Sequence, residues 1–144
     1  MIYPQTNPGR NALHAAMCSF LGLTARDLAE IGDFSERFAR DLLAGRRPFP
    51  SDTQQALALL HADWESITMA FILDIEDGVR MNYIYRTNEQ LRASPVGKVL
   101  HARGKAAGGF VGPYRAALFA AWRAARSKGG NVELIFASTP EVGD

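Results

Sequence analysis

Arg37 and Arg40 stand three residues apart with Ser35 and Glu36 directly before them, and at this spacing the chain comes nearest to a recognisable chemistry. Residues three apart on a helix share a side, so two guanidinium forks would project together. Each fork carries five donors in one plane, which suits two acceptors at once: the O6 and N7 of a guanine, or two oxygens of a phosphate. Glu36 adds an acceptor, and Ser35 a group that both donates and accepts. Arg46 and Arg47 follow Gly45, past the end of the same stretch, where phosphate is the natural partner.

Catalytic and metal chemistry find no comparable group. There is no G-x-S-x-G and no H-E-x-x-H, and His14, His61 and His101 are spread singly. Asp74, Glu76 and Asp77 precede Gly78 and read as turn chemistry. The single cysteine, Cys18, lies among Met17, Phe20 and Leu21 and reads as a buried, inert thiol. The run RGKAAGGFVGP, with Lys105 and Arg115 near it, could cradle a phosphate before a helix but lacks the spacing of a P-loop or dinucleotide fingerprint. No catalytic residue, metal or cofactor is expected.

The arginines need two short helices to hold them. Thr24 is a good N-cap with Asp27 three residues on, so a helix is predicted over residues 25 to 31. Gly32, able to take a left-handed conformation, is expected to end it, and a second helix starts near Ser35. On that second helix Phe34, Phe38, Ala39 and Leu42 fall on one side, and Glu36, Arg37, Arg40 and Asp41 on the other. A short helix with one apolar and one long-armed polar side is what reading a major groove requires.

Leu23-Thr24, Ala29, Gly32-Asp33, Ser35 and Gly45-Arg46-Arg47-Pro48 together resemble the repressor-like (XRE-type) helix-turn-helix proteins of phage and mobile elements. In the whole arrangement, including the closing YRAALFAAWRAARSKGGNVELIFA, the chain is similar to the anti-CRISPR-associated autorepressors. The resemblance implies a homodimer that binds double-stranded DNA at an inverted repeat in its own promoter. It makes Thr24, Arg26, Ser35, Glu36, Arg37, Arg40, Arg46 and Arg47 the DNA-contacting residues.

The remaining chain supplies support. Asn7-Pro8 suggests the start of a first helix, along which Leu13, Ala16, Met17, Phe20 and Leu21 recur until Gly22. Ser51 with Gln54 suggests a capping box opening a fourth helix, whose inner stripe is Ala56, Leu57, Leu60, Trp64 and Ile67. Residues 1 to 66 would thus close a four-helix head. From Thr68 to Tyr85 apolar and polar residues alternate about Glu76-Asp77-Gly78, which predicts a hairpin. Thr87 and Gln90 open a short helix, a further one runs from Pro95 to Ala102, another starts at Pro113, and Val132 to Ala137 forms a last strand. The expected fold is α+β: the helical head, then an α/β unit over residues 67 to 144.

With 144 residues, 47% hydrophobic and 22% charged, the composition is that of an ordinary globular chain. No signal-like opening or roughly 20-residue apolar run stands out, so a cytoplasmic protein without membrane contact is expected. The formal charge is +1; residues 1 to 66 carry 6 basic and 8 acidic side chains, residues 67 to 144 carry 10 and 7. Attraction to DNA must therefore come from local placement of arginines. The positive excess of the second half, with Lys98, His101, Arg103 and Lys105 and the series Arg115, Arg123 and Arg126 along one side of the last helix, reads first as a solvated face and otherwise as phosphate contacts with DNA or RNA, which would let the regulator also bind RNA. Two competing readings stay open: an antitoxin whose tail sequesters a toxin, and an enzyme of unknown type with a ligand over the glycine loop. Ile72, Ile84, Phe119 and Trp122 are the predicted dimer contacts.

Overall fold

The computed structural model describes residues 12–102 and 109–138. Their order is α1 (Leu13–Phe20), α2 (Ala25–Gly32), α3 (Glu36–Leu43), α4 (Ser51–Glu76), β1 (Met81–Ile84), α5 (Asn88–Ala93), α6 (Pro95–Ala102), α7 (Val111–Ser127) and β2 (Glu133–Phe136). The fold is broadly α+β, rich in helix, with one two-stranded parallel sheet. The chain divides into two compact units, Met1–Leu59 and Leu60–Asp144.

In the first unit, Thr24 caps α2 reciprocally: its Oγ1 accepts the Asp27 amide and the Asp27 carboxylate accepts the Thr24 amide, both at 3.0 Å. Gly32, expected as the left-handed stop, is instead the last helical residue, and Asp33 takes the left-handed position at φ 57°. The glycine is needed for space, because a Cβ there would land in the Phe34 ring. Ser35 caps α3 through the Phe38 amide at 3.1 Å. Leu21, Leu23, Leu28, Ala29, Ala39, Leu42, Phe49 and Leu57 form the core together with Cys18, which has no exposed surface and whose thiol burial pushes up to about 11.

Two expectations for this unit are corrected. Leu13 and Phe20 do not face the core; they are exposed, because the buried side of α1 runs through Cys18 toward Leu21. Ser51 is not the cap of α4 but its first helical residue: the Gln54 amide donates to Pro50 O at 3.0 Å, and the Gln54 side chain donates to Phe49 O at 2.9 Å. His14 has a structural contact, its ring 5.5 Å from that of Phe49. Asn7-Pro8 lies outside the described residues.

The largest correction is to the hairpin. Residues 69 to 75 are not a strand; they continue α4 to Glu76. Ile67, Phe71 and Ile75, four residues apart, are buried, while Met69 and Leu73 are exposed, so the period is helical. A helix already propagating gains a hydrogen bond with each added residue, and no glycine or proline intervenes before Gly78, which ends it at φ 110°. By length and composition α4 is apolar enough to cross a membrane, although Leu57, Leu60, Ile67, Phe71 and Ile75 are core residues. Having lost its hairpin partner, β1 pairs in parallel with β2, Met81 opposite Glu133 through Ile84 opposite Phe136.

Thr87 caps α5 through the Gln90 amide at 3.0 Å, as predicted. Ser94 closes α5 and opens α6: its Oγ donates to Leu91 O at 2.6 Å and accepts the Gly97 amide at 3.0 Å. α7 starts at Val111, two residues before Pro113. Its Ala117, Leu118 and Ala121 are buried, as are Leu91, Phe110 and Val132 of the same unit, and the Tyr114 ring meets Phe71 edge-on at 5.4 Å. Burial and the neighbouring Tyr85 push the Tyr114 phenol well above its ordinary range.

Candidate nucleic-acid interface

α2 and α3 are separated by three residues and turned by the left-handed backbone at Asp33. The Phe34 and Phe38 rings pack edge to face at 4.9 Å, bracing the start of α3, while Ala39 and Leu42 fix its inner side. Ser35, Glu36, Arg37 and Arg40 are all exposed on the outer side. Arg40 Nη1 lies 3.7 Å from Glu36 Oε2, an exposed pair that water screens and that a better acceptor displaces at little cost. Arg37 has no ion pair or hydrogen bond among the described residues, and neither has Arg26 on α2. Five donors at each position therefore face solvent.

Past α3 the chain turns at Gly45, φ 77°, and brings Arg46 and Arg47 back against the helix. Both meet Asp41: Arg46 Nη1 is 3.3 Å from Oδ1, and Arg47 Nε is 3.9 Å from Oδ2. The Arg47 guanidinium also lies 5.8 Å from the Phe38 ring centre. A carboxylate thus holds two cations beside the end of the arginine helix and cancels part of their charge. Helical spacing puts Asp41 on the polar side but does not anticipate this role.

Thr24 and Ser35 use their oxygens as acceptors in the caps, which leaves each hydroxyl hydrogen to donate.

Neither a family model nor a curated protein matches the chain.

In the second unit Ile72 and Ile84, expected together on one hairpin, lie on different elements, while Phe119 and Trp122 are on a helix as expected. Ile72 is on α4, Ile84 on β1, and Phe119 and Trp122 on α7. Phe119 is exposed and stacks on Trp122 at 5.6 Å, with Arg126 over the Trp122 ring at 5.4 Å. Ile72 lines a groove of about 190 Å³ together with Ile75, Ala121, Ala124, Ala125 and Arg80. Arg80 is occupied there as a helix end-cap, donating to Ile75 O at 3.0 Å.

The basic series on α7 is also not one solvated face. Arg115 is half-buried and donates to Tyr85 O from Nε at 3.1 Å and Nη2 at 2.7 Å, whereas Arg123 and Arg126 are exposed. Lys98 is exposed on α6. Arg103 and Lys105 lie outside the described residues, as does most of the glycine run. The Val111 amide at the start of α7 is taken by Asn88 Oδ1 at 2.9 Å, so that helix end has one donor fewer to offer a phosphate.

Proposed function

We propose that this chain is a sequence-specific DNA-binding repressor that acts as a homodimer on an inverted repeat. Residues 1 to 66 serve as a four-helix helix-turn-helix head and residues 67 to 144 hold the dimer. The observation that carries the reading is α3 itself: Ala39 and Leu42 are buried, while Arg37 and Arg40 stand exposed on the outer side and Arg37 has no partner among the described residues. α3 enters the major groove, Arg37 and Arg40 reach base edges, Ser35 and Glu36 assist them, and Arg46 and Arg47 meet phosphate together with Thr24 and Arg26. One such helix reads a few base pairs. Two, spaced by roughly 34 Å about a two-fold axis, give useful discrimination.

Fluorescence anisotropy of the full-length protein on the DNA upstream of its own gene tests this, with a shuffled duplex as competitor at physiological salt. Specific sites of this kind are held about 10³-fold or more tighter than random DNA. Equal affinity for both duplexes would end the proposal.

A further inference from the structure

The two-stranded sheet is open on one side. Parallel pairs are ordinarily covered on both faces and flanked by further strands, yet none of the eight residues of β1 and β2 is fully buried, and Phe136 is 57% exposed. The Glu133 amide donates to Arg80 O and the Ala137 amide to Ile84 O, both at 2.9 Å. By the two-residue period of a strand, the N–H and C=O groups of Leu134 and Phe136 point away from β1. No third strand meets them among the described residues.

The outer edge of β1 is in a different state. Tyr85 O, at its end, already accepts both bonds from Arg115, and Arg80 and Arg86 flank the strand. Two copies joined antiparallel through β1 about Tyr83 would set Arg80 against Arg86. β2 offers no such conflict. Its only charge is Glu133, and it has none of the lysines or prolines that usually guard an edge.

We infer that a second copy of this chain pairs antiparallel with β2, about a two-fold axis at Ile135, to give a four-stranded sheet in the order β1-β2-β2-β1. Leu134 then exchanges both hydrogen bonds with Phe136 of the second copy, so every outward donor on the edge finds an acceptor. Glu133 falls opposite Ala137, and no like charges meet. The Phe136 side chain gains Leu134 of the second copy as a cross-strand neighbour. Because the outer edges of the new sheet are the arginine-flanked β1 strands, the assembly closes at two copies. This deepens the homodimer reading above and rests on it.

Sedimentation at micromolar concentration, together with amide hydrogen exchange, decides it. The wild-type protein is expected at twice the chain mass, with the Leu134 and Phe136 amides protected. Phe136→Pro removes the outward N–H and Phe136→Lys adds a guard charge; each also removes the ring over which the Arg86 guanidinium lies at 4.5 Å, an exposed contact within one copy, and both are expected at single-chain mass with an unchanged circular dichroism spectrum. Wild-type protein at single-chain mass would overturn both this interface and the homodimer. A wild-type dimer in which those two amides exchange freely, or folded variants that keep dimeric mass, would overturn this interface alone. Should the variants fail to fold, the exchange of the wild-type amides decides alone: protection supports the interface and free exchange refutes it.

Discussion

Asp41 sets how much of the positive charge at the end of α3 reaches solvent, since it holds Arg46 and Arg47 at 3.3 and 3.9 Å. Asp41→Asn should raise affinity for every duplex alike and steepen the fall of log K with log salt by up to about one unit per released arginine. Arg46→Ala or Arg47→Ala should flatten the same slope by about one unit. Arg37 differs in kind: its loss should cost about 1–3 kcal/mol on the operator and relax preference at one base pair, with little change on random DNA. A titration of each variant on operator and shuffled duplexes separates the two behaviours. Cys18 is expected to resist alkylation in the native protein at neutral pH, because burial holds its pKa near 11 and the thiolate is the reactive form. Burial also makes the folded thiol a weaker acid than the unfolded one, so its contribution to stability is complete below about pH 9 and declines as pH rises toward 11. Denaturation midpoints measured across that alkaline range check the sign, and an increase would contradict it.

At the scale of elements, caps are legible in the sequence and periods are not always so. Thr24, Ser35 and Thr87 each bond the amide three residues on, because such a cap depends on a local hydrogen bond that tertiary packing rarely overrides. Residues 67 to 75, ITMAFILDI, satisfy a period of 2 and a period of 3.6 together, and only the buried set Ile67, Phe71 and Ile75 decides between them. The parallel partner of β1 is out of reach for the same reason: with Met69 to Ile75 taken as a strand, a local turn already supplies the pairing. The role of Asp41 is hidden because its partners come back to it through the left-handed turn at Gly45, which helical spacing does not anticipate. Gly97 shows a constraint of another sort. A Cβ there would collide with the Leu91 carbonyl, a backbone group held by the Ser94 hydroxyl, so α5 and α6 would have to separate. Gly97→Ala should destabilise by about 1–3 kcal/mol, read as a lower urea midpoint with unchanged slope. An unchanged midpoint would mean that α6 shifts freely.

For the molecule as a whole, a net charge of +1 gives little general attraction to nucleic acid, so the proposed DNA reading requires discrimination to come from placed arginines and two-fold geometry. Full-length protein should therefore protect two half-sites centred about one helical turn, roughly 34 Å, apart in a footprint of its operator. A single unrepeated half-site would contradict the two-fold arrangement. The parallel pairing of β1 with β2 also bears on how the chain matures. Met81 and Glu133 meet across 52 residues, with α5, α6 and α7 between them. Contacts so distant in sequence close late in folding, since the loop must be shortened by helix formation first. Until they do, the VELIFA segment remains an unpaired, nearly uncharged strand, and the concentration of unfinished chains, more than the stability of the finished one, governs how much is lost to aggregation. Refolding yield should accordingly fall with protein concentration well before any change in melting temperature is seen.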